Sequence, residues 1–287
     1  MGASDIVTAA TGPATGPTAG PTAGPTAEEP YVLRADTGGV ATLTMNRGAR
    51  FNPLSQSMIA ALDTALAGIA DDPDVRAVVL TGSGRGFSAG HDLAEMRAHV
   101  GDDAWQQGLF DACSAMMLRL TRLPQPVVAK VHGIATAAGC QLVSMCDLAV
   151  ATDDARFGLP GVNIGVFCST PAVGVARAVG RKRAMELLLT GEMVDAATAL
   201  AWGLVNRVVP AQALDAAVAR FTDVITARSA PVVANGKRTF YAQVDGALDD
   251  AYALAGCAMV TDLAGADAAE GIDAFLGKRT PAWPSQA

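Results

Sequence analysis

Positive charge is scarce in this 287-residue chain. Four lysines and seventeen arginines face 28 acidic residues, for a net charge of −7. That balance excludes the basic surface on which nucleic-acid binding depends. No apolar run reaches the ~18 residues that a membrane-crossing helix needs. The five cysteines (Cys113, Cys140, Cys146, Cys168 and Cys257) show no metal-ligand spacing, so no metal site is expected. An odd number of scattered thiols, at least three of them in apolar surroundings, fits a reducing compartment rather than a disulfide framework. A cytoplasmic location is expected on that ground. A glycine-rich phosphate loop of the dinucleotide or P-loop kind is also missing.

What is present is apolar: 51% of the residues are hydrophobic, enough for one large core or a core with a helical appendage. Residues 1–28 stand apart, because TGPATGPTAGPTAGPTA repeats a Gly-Pro-Thr-Ala unit with no face to bury, and a disordered tail is expected. The tail has neither the charged start and apolar stretch of a secretory signal nor an arginine for an organelle-targeting one. From Tyr31 onward, YVLRAD and VATLTMNR around Gly38-Gly39 predict a hairpin. Ser55 is placed to cap a helix running to about Ala70, with Met58, Ile59, Leu62 and Leu66 on one face. Apolar strands follow at Val75–Thr81, Val127–Val131 and LAVATD, separated by a helix from Trp105 to Arg122 and another after Gly139. This alternation predicts an α/β fold with crossover connections. After Pro171 the periodicity turns almost wholly helical, in segments at 171–189, 195–202, 211–229, 231–243, 248–263 and 267–276.

Two strand–helix joints carry the functional signal. Val127–Val131 runs into His132-Gly133 and then a series of very small residues, Ala135 to Gly139, before helical spacing resumes at Leu142, Val143, Met145 and Cys146. Val75–Thr81 runs into Arg85-Gly86-Phe87-Ser88-Ala89-Gly90-His91-Asp92-Leu93, which also opens a helix. Small residues let a ligand approach the backbone, and unpaired N–H groups at a helix start favour negative charge. Two such joints are able to supply one N–H each to a shared oxyanion hole. A tightly packed joint with no ligand is the simpler alternative for either stretch alone.

At these residues the chain resembles the crotonase (enoyl-CoA hydratase/isomerase) superfamily. FSAGHDL matches its F-x-A-G-x-D-L, and HGIATAAGCQLVSMCDLAVATDDARFGLP matches its longer glycine-rich motif through F-G-x-P. The resemblance runs from about Tyr31 to the end and includes TGEMVDAATALAWGLVNRVV. It implies a ββα spiral core (residues 29–205) and a C-terminal helical region (206–287) through which a homotrimer or dimer of trimers assembles. It also implies an acyl-CoA or enoyl-CoA ligand, nominally in fatty-acid metabolism, with coenzyme A as part of the substrate and no prosthetic group.

Carried over residue by residue, the oxyanion donors are the N–H groups of His91 and Ala138, and Ala89, beside the first, is assigned to coenzyme binding. The family's two hydratase glutamates fall on Gln141 and Gly161, and an acid used by other members falls on Ser169. Gln141 can orient a water but cannot accept its proton. Losing one general acid–base costs ~100- to 10,000-fold, so efficient hydration is not expected. His91 is the best remaining proton carrier, because imidazole titrates near neutrality. Asp92 is read as a helix cap, Asp147 and His132 as structural and His99 as solvated. Glu95 reaches the pocket mouth only if its helix face is right, and Cys168 has no partner base in view. Asn163, Ser169 and Gly161 are assigned to the acyl pocket. Arg50, Phe275 and Lys278 match the family's coenzyme contacts. Isomerisation, thioester hydrolysis, a non-catalytic acyl-CoA binder and a purely structural subunit remain as alternatives.

Overall fold

The computed structural model describes residues 29–286; the repeat-bearing segment 1–28 lies outside them. The hairpin forms as β1 (Val32–Thr37) and β2 (Val40–Met45), and α1 (Gln56–Ala70) follows with Ser55 as its N-cap, accepting from the Met58 amide. Next come β3 (Ala77–Gly82), the short α2 (Leu93–Ala98), α3 (Asp103–Arg122), β4 (Val127–Val131), β5 (Ile134–Thr136), α4 (Ala138–Met145), β6 (Leu148–Thr152) and β7 (Arg156–Gly158). The remainder contains α5 (Ser169–Val179), α6 (Arg181–Thr190), β8 (Met193–Asp195), α7 (Ala196–Trp202), β9 (Arg207–Val209), α8 (Leu214–Thr226), α9 (Ala230–Gln243), α10 (Leu248–Leu263) and α11 (Ala266–Leu276).

Six strands make the main sheet in the order β1-β2-β3-β4-β6-β9, parallel throughout except for the β1–β2 hairpin. Alternation along each strand sorts the core into two layers. Val78, Leu80, Val127, Ala129 and Val131 face α1 and α3, whose buried faces include Met58, Leu62, Leu66, Met116 and Leu120. Val79, Val128 and Val150 face the other way, against Leu214, Ala217 and Val218 of α8. Both faces are therefore covered, as a parallel sheet requires.

The short strands departed from the helical reading of the last third. β8 pairs with β7 in a second sheet of order β5-β7-β8, and β9 adds to the main sheet beside β6. Each has three residues, too few for a periodic pattern to register. The continuous helix expected over 171–189 is split at Gly180, whose φ of +83° ends α5 and opens α6.

Helix α9 is tied to the core by a polar cluster. The Lys237 ammonium donates to the Leu120 and Gln125 carbonyls (2.8 and 3.0 Å) and to Asp147 Oδ2 (2.6 Å). Asp147 also accepts from the Tyr241 hydroxyl (2.9 Å) and the Val127 amide (2.7 Å). Burial pushes the Lys237 pKa down, and the adjacent carboxylate opposes that shift. Truncating Asp147 leaves the more deeply buried Lys237 ammonium with two neutral carbonyls and no countercharge, whereas truncating Lys237 leaves the less buried Asp147 carboxylate with two donors. Urea unfolding is expected to show a loss of about 3–5 kcal/mol for Asp147→Ala and a clearly smaller one for Lys237→Met.

Candidate functional site

Both joints leave the main sheet at the C-terminal ends of neighbouring parallel strands, β3 and β4. Ligands of open α/β sheets bind at such an edge. A ladder of hydrogen bonds zips the joints together. The Phe87 amide donates to the His132 carbonyl (2.9 Å), Ser88 to Ile134 (3.1 Å) and Thr136 to Ser88 (3.0 Å). The Thr136 hydroxyl adds a bond to the Ala89 carbonyl (3.0 Å). The approach leaves no room for side chains. A Cβ on Gly139 would lie 2.3 Å from the Ser88 carbonyl oxygen, and one on Gly90 (φ +88°) would lie 2.9 Å from Ala137 Cβ and 3.1 Å from the Ala138 nitrogen. Ala137 itself takes a positive φ of 49°, which turns the chain into α4 and makes Ala138 its first helical residue.

The N–H of Ala138 is thus one of the orphan donors of a helix start. Next to it, across Gly90, lies the backbone of His91. Among the described residues neither amide has an acceptor. Both residues line a cavity of about 590 Å³, whose walls come from α2 and α3 on one side and from the 160–171 segment on the other.

Asn52 holds the first joint in place. It is fully buried, with φ of +49°. Its side-chain amide donates to the Ser83, Gly86 and Phe87 carbonyls (2.9, 2.9 and 3.1 Å), and its Oδ1 accepts from the Arg47 amide (2.9 Å). The Ser88 hydroxyl donates to the Asn52 carbonyl (2.9 Å). The available signal was an asparagine before proline, since asparagine tolerates the left-handed region. Leu93, Met96, Gln107 and Phe110 also line the cavity without having been singled out.

Ala89, Gly161, Asn163, Ser169 and Cys168 line the same cavity as His91 and Ala138. The Asn163 amide, however, donates to the Gly191 carbonyl (3.3 Å), and the Ser169 hydroxyl lies 3.4 Å from the Phe167 carbonyl. Gly161 is buried, and a Cβ there would meet the Val166 carbonyl oxygen at 2.4 Å and the Cys168 sulfur at 2.7 Å. Gln141, one turn into α4, is 5% exposed and is not among the cavity-lining residues; its Oε1 has no partner. Arg50 pairs with Asp92 (2.9 Å). Phe275 is 83% exposed on α11, and Lys278 is exposed just beyond it; neither touches the cavity.

The acids nearby already serve helix starts. Asp92 caps α2 by accepting from Ala94 and Glu95. Glu95 accepts from the Gln56 amide at the start of α1 (3.0 Å). His132 Nε2 contacts the Gly84 carbonyl (3.1 Å). His99 is half-buried rather than solvated: it stacks on Trp105 at 3.9 Å and contacts the Glu95 carbonyl. His91 is the one imidazole in the cavity. Its ring meets Phe110 edge-on at 5.4 Å, its Nε2 is buried without a partner, and burial pushes its pKa down to about 4. Burial likewise raises the pKa of the Cys168 thiol, so both groups are uncharged near neutrality.

The sequence profile described as Enoyl-CoA hydratase/isomerase matches residues 35–286. A Xenopus laevis protein named enoyl-CoA hydratase domain-containing protein 3, mitochondrial, is 44% identical, covering 88% of this chain and 86% of its own. Among solved structures, an enoyl-CoA hydratase of Mycobacterium smegmatis superposes with a TM-score of 0.87 at 52% identity, covering 89% of this chain and 99% of that one. Human enoyl Coenzyme A hydratase domain-containing protein 3 superposes with a TM-score of 0.85 at 43% identity, covering 88% and 100%. The α/β crotonase fold is thereby established. The expected cytoplasmic location is corrected: the Xenopus, mouse and human relatives carry "mitochondrial" in their names. Free thiols suit any reducing compartment and do not separate the two.

The depressed His91 pKa has a thermodynamic consequence. The unfolded chain takes up a proton at this residue below about pH 6.5, whereas the folded chain does so only near pH 4. The neutral ring therefore favours the fold above pH 6.5, and that contribution is lost as pH falls toward 4. Comparing unfolding free energies of wild type and His91→Gln, the variant is expected to be less acid-sensitive by roughly 3 kcal/mol between pH 7 and 4.

Proposed function

This chain belongs to the enoyl-CoA hydratase/isomerase family, and from that premise we propose that it binds an acyl-CoA thioester and polarises the carbonyl with the N–H groups of His91 and Ala138. The observation that carries this reading is the pair of neighbouring amides without acceptors on one cavity wall. Negative charge develops on the thioester oxygen when an enolate or tetrahedral adduct forms. Donors already held in place stabilise it without reorganisation, at about 3–4 kcal/mol per donor.

Hydration is poorly served. A hydratase must deliver and remove protons, and in our reading the two positions that would do so are Gln141 and Gly161. Gln141 is not an acid and does not line the cavity, and Gly161 has no space for a side chain. His91 remains, but a base whose conjugate acid ionises near pH 4 accepts protons weakly at neutrality. The family reading is therefore one of thioester binding and carbonyl polarisation, with isomerisation or thioester hydrolysis through a bound water as the reactions compatible with it. A non-catalytic acyl-CoA binder is the second reading, favoured by the uncharged His91.

Purified protein is expected to bind acyl-CoA in calorimetry while hydrating crotonyl-CoA, followed at the enoyl absorbance, at less than about 1 per second, the low end of ordinary turnover. Turnover at hundreds per second would overturn the argument from the missing acids, and failure to bind any coenzyme A thioester would overturn the function.

The assembly is proposed on similar ground. Leu248, Tyr252, Val260, Phe275 and Leu276 of α10 and α11 are each about 70–80% exposed in the single chain. An apolar surface of that kind marks an interface. We read it as the contact of a homotrimer or dimer of trimers, through which Phe275 and Lys278 reach a neighbour's coenzyme while Arg50 contributes from its own subunit. Light scattering is expected to give a mass that is three or six times that of the chain, and Tyr252→Glu is expected to lower it.

A further inference from the structure

The cavity that holds the His91 and Ala138 amides carries no formal charge on its walls near neutral pH. Its lining residues include no Asp, Glu, Lys or Arg. The two titratable members, His91 and Cys168, are kept uncharged by burial. The polar side chains are largely engaged: Gln107 donates to Asp111 (2.8 Å), Asn163 to Gly191 and Thr136 to Ala89. What faces the space is apolar, chiefly Leu93, Met96, Phe110, Val166, Phe167 and Pro171. Leu93 and Phe167 are about half exposed.

Resting on the thioester-binding reading above, we propose that this chain selects an uncharged, medium-length acyl group of about six to ten carbons and rejects both short acyl groups and acyl groups bearing a second carboxylate. Two physical arguments lead there. A carboxylate placed among these side chains loses its water and finds no cation, and desolvation of an unpaired charge is the most costly burial a protein can make. A short acyl group, by contrast, fits but leaves most of the apolar wall wet. At ~30 Å³ for a group of water size, an eight-carbon chain takes up ~240 Å³. A cavity of about 590 Å³, open on one side, accommodates such a chain, whereas a four-carbon group leaves most of its apolar wall uncovered.

Phe110 is the residue on which the length limit depends. It stands on the α3 wall with its ring edge-on to His91, and Val166 and Phe167 line the same cavity. A larger side chain there takes up space that the acyl tail would otherwise fill.

The test is calorimetric titration of the full chain, in its native assembly, with coenzyme A, butyryl-CoA, octanoyl-CoA and glutaryl-CoA at pH 7.5. Each buried methylene contributes about 4-fold in affinity, which sets a ceiling of ~200-fold for the four that separate octanoyl from butyryl. With partial burial, octanoyl-CoA is expected to bind at least ~20-fold tighter than butyryl-CoA, and glutaryl-CoA no tighter than butyryl-CoA. Phe110→Trp, its fold checked by circular dichroism, is expected to cut the octanoyl advantage several-fold. Equal affinity across chain lengths, or glutaryl-CoA binding more tightly than butyryl-CoA, overturns the selectivity while thioester binding stands. Absence of binding by all four ligands instead removes the thioester reading on which the selectivity rests.

Discussion

Everything at the site depends on how closely two pieces of backbone approach. Residues 87–91 and 132–139 run side by side, sharing hydrogen bonds at a distance that a single Cβ at 139 would destroy. The approach has two effects. It pairs the amides of Phe87, Ser88 and Thr136 with the carbonyls of His132, Ile134 and Ser88, and, with the Ala89, Gly90 and Ala137 amides bonded elsewhere, it leaves those of His91 and Ala138 without partners at the cavity. Donors fixed in this way need no rearrangement when charge develops. Asn52 supports the arrangement from behind, because its side chain satisfies three carbonyls of the 83–87 loop that would otherwise be buried unpaired.

The same closeness explains why the cavity is uncharged. Each neighbouring carboxylate has a structural position: Asp92 and Glu95 at helix starts, Asp147 between Lys237, Tyr241 and Val127. The imidazole of His91 enters the cavity, but it lies against Phe110 with no carboxylate to stabilise its protonated form. Preorganised amides and a neutral apolar wall are therefore two results of one packing solution. The first suits carbonyl polarisation, and the second leaves proton transfer without a strong base.

Most of the main architecture was legible in the residues. β-rich runs around Gly38-Gly39 located β1 and β2, continuous apolar runs located β3, β4 and β6, Ser55 announced α1, and the small-residue runs marked both joints. The three-residue strands β8, which completes the small sheet, and β9, which extends the main one, were not legible, since their pairing comes from distant partners rather than from any local period. Asp92 as a cap was readable because it directly precedes a helix. Asn52 was not, since its value lies in carbonyls some thirty residues away.

The sequence by itself determined that two strands feed two helices through residues too small to keep the backbones apart. It also determined the chemistry available at each position: a glutamine, a glycine and a serine are not acids in any fold. Only the tertiary structure decided where those side chains point. Gln141 is buried and does not line the cavity, the space beside Gly161 is filled by Val166 and Cys168, and His91 lines the cavity. The reason is physical. Backbone conformation follows from local residue types, whereas the direction, burial and protonation of a side chain depend on which distant residues close around it.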